Sequence, residues 1–285
     1  MIQLLKRKLN TTVLYSLLKN KAAAFGLAYI FVLIILAIFA DFIAPYDPVE
    51  QRIVNKLSPP SSAHILGCDE LGRDVFSRLI YGARISLIVG VSVVALSATL
   101  GSLLGSISGY YGGKVDMFIM RIVDIFIAFP GLILAIGIMA ALGQSILNVI
   151  IALVLVNWPA FARVVRGEAL KLSQLEFVQA AKVIGASNVR IIFSHILPNA
   201  MAPILVLATL NIGWAILAEA SLSFLGLGVN PPEPSWGSMV ATARFYLLSA
   251  QHVILFPGIA IFLTVMAFNL VGDGLRDALD PQLQL

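Results

Sequence analysis

The residue types that carry most enzymatic chemistry are few in this sequence and stand far apart. Its histidines, His64, His195 and His252, are scattered and lack metal-ligand spacing. The single cysteine, Cys68, excludes an internal disulfide. No G-x-x-x-x-G-K-[ST] phosphate loop and no G-x-S-G of a membrane serine protease occurs, and the G-x-G-D of intramembrane aspartyl proteases fails because position 270 is leucine. We therefore expect no catalytic centre, cofactor or metal on this chain.

One pair of opposite charges stands inside an apolar stretch. Arg121 and Asp124 are three residues apart, so a helix places them on one face. Ionisable groups inside a membrane are costly and usually face a bundle interior or a wet cavity. Two interpretations stay open: a mutual ion pair at the inner membrane interface, or a role in a translocation path.

The composition is that of a membrane protein. Of 285 residues, 59% are hydrophobic and only 12% are charged, and the mean hydropathy is +0.95. A soluble domain carries about a quarter charged residues. The basic residues flank apolar blocks rather than forming one face, so nucleic acid is not an expected partner. Membrane lipid is.

The apolar blocks define six membrane spans, since a helix needs about 20 apolar residues to cross the bilayer. We divide the chain into residues 1–84, which hold an N-terminal tail, the first span and an outer loop, and residues 85–285, which hold a core of five spans. The predicted spans are 22–44, 86–109, 117–141, 145–163, 200–226 and 253–273.

The distribution of basic residues sets the expected orientation. Most of the 19 lysines and arginines fall on one side if the N-terminus is cytoplasmic, because the N-terminal tail and residues 163–190 are rich in them. Both termini are then cytoplasmic. The segments 45–84 and 227–252 face the outside.

A polar segment, EFVQAAKVIGASNVRIIFSHILP at 176–198, interrupts this apolar chain on the cytoplasmic side. Gly185 stands where a left-handed helix C-cap belongs, Ser187 where an N-cap belongs, and Pro198 marks the end. The pattern predicts two short helices joined by a glycine turn. The apolar residues of the first helix recur at helical spacing and share one face: Phe177, Ala180, Ala181 and Ile184.

Two functions suit such a segment. It is either an amphipathic connector that rests on lipid headgroups or a docking knob for a cytoplasmic partner. The alanines are too small to anchor a helix in lipid, where a surface helix usually presents Leu, Phe or Trp. Small residues instead let a second backbone approach closely.

The segment resembles the cytoplasmic coupling loop of permease subunits of bacterial ABC importers, with the pattern E-A-A-x3-G-x9-I-x-L-P. Gln179 replaces the glutamate, which argues against an ion pair from that position, and His195 takes the isoleucine position with Ile196 beside it. The resemblance implies that this loop, at about 168–198, inserts into a cleft of an ATPase subunit and passes its motion to the membrane helices. The matching positions are Ala180, Ala181, Gly185, Leu197 and Pro198.

Two further stretches narrow the resemblance to dipeptide, oligopeptide and nickel permeases. They are HILGCDELGRDVFSRLIYGARISL at 64–87 and AEASLSFLGLGVNPPEPSWGSMVATAR at 218–244. The resemblance implies the all-α type I permease fold, a six-helix polytopic bundle with a coupling helix between helices 4 and 5. It also implies a second homologous permease, giving a heterodimer, two cytoplasmic ATPase subunits that hold ATP and Mg, and an extracytoplasmic substrate-binding protein.

The expected function is that of a bacterial inner-membrane permease subunit for dipeptides or oligopeptides. A nickel or nickel-chelate importer is the alternative. A self-sufficient secondary transporter would need paired broken helices and internal inverted symmetry, which we do not find in the sequence. The outer segment 69–78 is expected to be a solvated, self-paired loop or a contact for the binding protein.

Overall fold

A computed structural model describes Tyr15 and residues 17–230 and 232–279 of the chain, and helices dominate this part. Polar side chains start several of them: Asn20 caps the first, Asp74 the third and Ser145 the sixth. The helices, in chain order, are α1 (Lys21–Ile38), α2 (Ala40–Ile43), α3 (Val75–Tyr111), α4 (Gly113–Ala128), α5 (Gly131–Leu142), α6 (Ile146–Ser173), α7 (Glu176–Val183), α8 (Asn188–Ile191), α9 (Leu197–Asn199), α10 (Met201–Phe224), α11 (Trp236–Ala243) and α12 (Gln251–Leu279).

The predicted six-span bundle is confirmed. Among the described helices, α1, α3, α6, α10 and α12 are each long and apolar enough to cross a membrane, and α4 and α5 qualify as one bent pair. The helix that contains the predicted span 86–109 begins at Val75, where Asp74 accepts a hydrogen bond from the Ser77 amide at 2.8 Å. The predicted boundary after residue 84 therefore falls within α3.

The bundle has two ends, named here by what they carry. The coupling end carries residues 174–200, between α6 and α10. The loop end carries residues 44–74 and 225–250, with the short helix α11.

The third span is broken where α4 and α5 meet at 90°. Phe129 has extended backbone (φ −92°, ψ 139°), as expected before a proline, and Pro130 caps α5. At the coupling end, Asp116 in α4 accepts a hydrogen bond from Arg166 of α6. At the loop end, the side chain of Gln144 donates to the carbonyl of Gly226, just beyond α10. The pair therefore runs from one end of the bundle to the other and counts as a single span.

A row of small residues brings α3 and α6 into direct backbone contact. Gly101, Gly105 and Gly109 recur every fourth residue and so lie on one face of α3. A Cβ at Gly105 would stand 2.4 Å from the carbonyl oxygen of Ala162, and one at Gly109 would stand 2.6 Å from that of Arg166. This spacing is the small-xxx-small pattern that joins membrane helices, and it packs the backbone of α3 directly against that of α6.

The loop end is folded and buries a cluster of charged side chains around Asp69. Asp69 accepts from Arg73 Nε at 2.7 Å and lies 3.3 Å from Arg78 Nε, while His64 Nδ1 lies 2.9 Å from Asp74 Oδ1. All of these side chains are buried. The expectation of a self-paired segment therefore agrees with the structure, but the expectation of a solvated one is wrong. Packing of residues 44–74 over the start of α3 removes these groups from water.

Candidate functional site: the coupling segment

The coupling segment, residues 174–200, consists of two short helices and a tight turn, as the sequence predicts. Gly185 has φ +82° and ends α7. Its amide donates to the Lys182 carbonyl at 3.0 Å, and the Ala186 amide donates to the Ala181 carbonyl at 3.0 Å. This is the hydrogen-bond pattern of a Schellman motif. Ser187 then caps α8, so the turn between the helices is defined by local chemistry.

One side of the segment is packed onto the bundle. Val178 and Ala181 of α7 are buried in one cluster with Ile191 of α8 and Ala169 of α6. Gln179, which replaces the glutamate of the pattern, donates from Nε2 to the Ser173 carbonyl at 2.6 Å. A carboxylate has no proton to donate to that carbonyl. The glutamine thus ties α7 to the end of α6 and forms no ion pair.

Several apolar side chains on the outward side of the segment are uncovered. The sequence places Ala180 and Ala181 on one face, but only Ala181 turns inward, whereas Ala180 is exposed. Val183 and Ile184 are 87% and 83% exposed. We call the following residues the coupling face: Phe177, Ala180, Val183, Ile184, Val189 and Phe193, all of them exposed.

A third contact joins the segment to α3. The hydroxyl of Tyr110 donates to Asn188 Oδ1 at 2.8 Å, and the Lys182 ammonium lies 5.0 Å from the centroid of the Tyr110 ring. Sequence reasoning missed this contact. Its only local signal is the pair Tyr110–Tyr111 immediately before Gly112 and Gly113, since aromatic residues with a polar tip favour membrane borders.

The last part of the segment leads directly into α10. Residues Ile192–Ile196 form a π-helical turn, a feature that is frequent at functional sites. Ile196 is fully buried, while His195 is half-buried with its ring 6.2 Å from that of Phe177. Leu197 is half-buried and Pro198 lies in the first turn of α9, where a missing amide proton costs nothing. The expected stop at Pro198 is therefore wrong.

Arg121 and Asp124, the predicted polar pair, do not pair with each other in the structure. Asp124 Oδ1 accepts from Arg163 Nη2 of α6 at 2.7 Å. Arg121 is exposed and forms no hydrogen bond or ion pair with any residue that the structure describes. The mutual Arg121–Asp124 pair is thus absent, because α6 presents a guanidinium to Asp124 on the neighbouring helix.

A second ion pair fixes the coupling end of the broken span. Arg166 Nη2 donates to Asp116 Oδ2 at 2.6 Å, and the hydroxyl of Ser108 donates to the same carboxylate. Three helices, α3, α4 and α6, therefore meet at one carboxylate next to the coupling segment. Among the described residues, no group of three or more His, Cys, Asp or Glu side chains is arranged to hold a metal ion.

A polytopic helical bundle that presents uncovered apolar side chains at one end is a membrane protein with a surface suited to a partner. Comparison with family models gives the particular family. The chain belongs to the binding-protein-dependent transport system inner membrane components, whose model matches residues 101–285. A second model, the N-terminal TM domain of oligopeptide transport permease C, matches residues 11–60.

Curated relatives match almost the whole chain. The dipeptide transport system permease protein of Alkalihalophilus pseudofirmus is 50% identical over 93% of this chain and 88% of its own length. The glutathione transport system permease protein of Pectobacterium atrosepticum is 48% identical over 93% and 88%, and that of Escherichia coli O157:H7 is 52% identical over 90% and 85%. The chain is therefore an ABC importer permease of the dipeptide and glutathione type, a multi-pass protein of the inner membrane.

One solved structure shares the fold. A chain of the MetNI methionine ABC transporter in inward-facing conformations has a TM-score of 0.59 to this chain, covering 71% of it and 97% of the other chain. At 18% identity this similarity supports the fold and nothing finer. It agrees with the type I permease fold that the sequence predicts.

Proposed function

We propose that this chain is one membrane subunit of an ATP-driven importer and that it moves dipeptides or oligopeptides into the cell. The observation that carries the proposal is the coupling face, a set of exposed apolar side chains on α7, α8 and the turns that follow them. The other side of these elements packs against the bundle. Exposed apolar surface of this kind marks a contact with a protein or with a membrane, and the match to the inner membrane components of binding-protein-dependent transport favours a protein. Because the printed sequence has no phosphate-binding loop, the ATP-hydrolysing partner is a separate subunit.

The proposed assembly has three kinds of partner besides lipid. Two cytoplasmic ATPase subunits bind ATP and Mg, and one of them receives the coupling face. A second permease, related to this chain, completes a heterodimer, and an extracytoplasmic binding protein delivers the substrate at the loop end. The distribution of lysine and arginine supports this orientation, with both termini in the cytoplasm.

The proposed mechanism is a shift between two conformations of the bundle. ATP draws the ATPases together, and their closure moves the coupling segment with the helices that hold it, α3, α6 and α10. ATP binding therefore favours the outward-facing state, since only that state matches the closed ATPases. Hydrolysis removes this preference for the outward-facing state, and the bundle returns to the inward-facing state with the substrate.

The substrate class follows from the relatives. Those reported above are named for dipeptide or glutathione transport, and both substrates are small peptides. None of them is named for nickel, so the nickel alternative gains no support. We assign short peptides to this chain on that basis.

Two matched substitutions test the proposal. Ile184→Asp places a charge on the coupling face without touching the core, because Ile184 is 83% exposed. Val54→Asp places the same charge at the loop end, on a side chain that is 100% exposed. The measurements are co-purification of the ATPase from native membranes and ATP-dependent dipeptide uptake into proteoliposomes.

Ile184→Asp is expected to reduce ATPase co-purification and dipeptide uptake, each by about tenfold or more, as substitutions at the centre of an interface do. Val54→Asp is expected to leave the ATPase bound. Uptake that continues without any ATPase and responds only to an ion gradient would instead identify a secondary transporter and refute the proposal.

A further inference from the structure

A cavity of about 490 Å³ opens at the loop end, beside the end of α10. This volume lies within the range of about 300–1,000 Å³ that is common for small-molecule sites. Its walls come from the ends of α5 and α10, from α11 with the turn that follows it, and from the outer segment. The lining side chains on which the argument rests are Glu70, Ser223, Phe224, Arg244 and Phe245.

The cavity has a cation on one wall that lacks a carboxylate partner. Arg244 is exposed and forms no ion pair or hydrogen bond with the residues that the structure describes. Its guanidinium carbon lies 5.0 Å from the ring centroid of Phe224 and 4.7 Å from that of Phe245. The two rings hold the guanidinium in place and leave its donors free for an anion.

The cavity also has a carboxylate on its wall. Glu70 lines the cavity, its Oε1 accepts from Arg73 Nη2 at 2.8 Å, and its buried Oε2 forms no hydrogen bond with the residues that the structure describes. The cluster around it carries three carboxylates, Asp69, Glu70 and Asp74, two guanidiniums, Arg73 and Arg78, and the imidazole of His64 beside Asp74. An ammonium group in the cavity would lie beside the Glu70 carboxylate, which accepts one hydrogen bond from the described residues.

We propose that this cavity is a binding site for the zwitterionic backbone of a short peptide, with Arg244 facing its carboxylate and Glu70 its ammonium group. The two ends of an extended di- or tripeptide are about 5–10 Å apart, a length that a cavity of this volume accommodates. The inference rests on the proposed peptide-import function and deepens it. It gives the membrane subunit its own selectivity for peptides with free termini.

The cavity also sits on a buried polar network that joins it to α10. Ser223, which lines the cavity, donates to Glu219 Oε1 at 2.7 Å and lies 3.2 Å from the hydroxyl of Ser235. Glu219 is fully buried, and Ser223 is the residue that donates to it within hydrogen-bond distance among those the structure describes. A ligand in the cavity would therefore contact a network on α10. The other end of α10 continues into the coupling segment.

The test uses the assembled transporter in lipid nanodiscs, without ATP and without binding protein. Three probes are compared by ligand-detected NMR: alanylalanine, its N-acetyl derivative and its C-terminal amide. The wild type is expected to bind alanylalanine about two- to fivefold more tightly than either blocked peptide, the range typical of solvent-accessible charge pairs.

The variants separate the two ends of the ligand. Arg244→Gln is expected to abolish the preference over the amide and to retain the preference over the N-acetyl peptide. Glu70→Gln is expected to do the reverse. Arg52→Gln removes another loop-end arginine, one that pairs with Glu50 outside the cavity, and is expected to change neither preference. Thermal unfolding of each variant checks that the outer segment is still folded.

The site is overturned if the wild type binds the three peptides equally or binds none of them. It is also overturned if Arg244→Gln keeps the full preference for alanylalanine over the amide. In a separate titration with the binding protein, an Arg244→Gln variant that loses affinity only for that protein would also overturn the site, since the cavity would then be a protein contact. A parallel assay of ATP-dependent peptide uptake distinguishes this failure from failure of the import function. A wrong site leaves wild-type uptake intact, whereas a wrong function leaves none.

Discussion

The hydroxyl of Tyr110 donates a hydrogen bond of 2.8 Å to Asn188, and this bond connects the long helix α3 to the coupling segment. The segment is joined to α6 by the chain, by the buried cluster around Ala169 and by the Gln179 side chain, and it continues directly into α10. Tyr110 adds α3, which is itself in backbone contact with α6 through the Gly101, Gly105 and Gly109 row. In the proposed mechanism, movement of the segment would therefore act on α3 as well as on the helices that flank the segment in sequence.

Replacement of Tyr110 by phenylalanine is expected to uncouple ATP hydrolysis from transport. The change keeps the ring, which packs under Lys182, and removes one hydrogen bond, worth about 1 kcal/mol. We expect the ATPase to remain bound and the peptide transported per ATP hydrolysed to fall by about two- to fivefold, because about 1 kcal/mol corresponds to roughly a fivefold change in an equilibrium. The measurement is that ratio in proteoliposomes.

Tyr111→Phe is the matched control for this prediction. Tyr111 is the next residue in α3, it is exposed, and its hydroxyl forms no hydrogen bond with the described residues. It should keep the wild-type ratio. An equal loss in both variants would assign the effect to the helix end in general and would contradict a specific role for the Tyr110–Asn188 bond.

A methyl group at Gly105 is expected to separate α3 from α6. The added Cβ would stand 2.4 Å from a backbone oxygen, which no side-chain rotation relieves. Overpacking of this kind costs about 1–3 kcal/mol. We expect Gly105→Ala to lower the unfolding midpoint of the purified chain in detergent.

Gly167→Ala provides the comparison within the same helix pair. Gly167 lies in α6, and a Cβ there would meet nothing within 4 Å. Since glycine within a helix costs about 0.5–1 kcal/mol relative to alanine, this variant should be unchanged or slightly more stable. Equal destabilisation of the two variants would show that the close approach of α3 and α6 is not what the glycine row provides.

The sequence was sufficient for those features that depend on local chemistry. Apolar length predicts the six spans, and Gly185 with Ser187 predicts the turn of the coupling segment, because a left-handed glycine and an N-cap act within a few residues. The spacing of Gly101, Gly105 and Gly109 is equally local, so the contact between α3 and α6 was available from the sequence and was missed.

Features that depend on distant partners were beyond the sequence. Asp124 has Arg121 as its nearest charge along the chain, but it pairs with Arg163, which tertiary packing brings beside it. The same holds for Tyr110 and Asn188, and for the cavity that joins Glu70 to Arg244. The sign of each charge is visible in the sequence, but which charges share a surface depends on how the helices pack.

Burial of Cys68 predicts a thiol that resists labelling and whose reactivity rises only at high pH. The side chain is fully buried, and burial raises the pKa of the thiol. Because only the thiolate reacts, a raised pKa lowers the reactive fraction at any pH below it and moves the rise in rate to higher pH. We expect slow labelling by N-ethylmaleimide at pH 7.5 and a rate that still increases above pH 9, where an ordinary thiol of pKa about 8.5 approaches its plateau.

The comparison is a Cys68→Ala, Val54→Cys variant, which moves the only thiol to a fully exposed position that also lies within residues 44–74. Its rate should be at least about tenfold higher at pH 7.5 and should level off near pH 9. Denaturation should bring the two proteins to the same rate. Labelling of folded Cys68 at the rate of the exposed thiol would mean that residues 44–74 do not pack over α3 as a folded cap, and the buried ion pairs of the loop end would then be in contact with water.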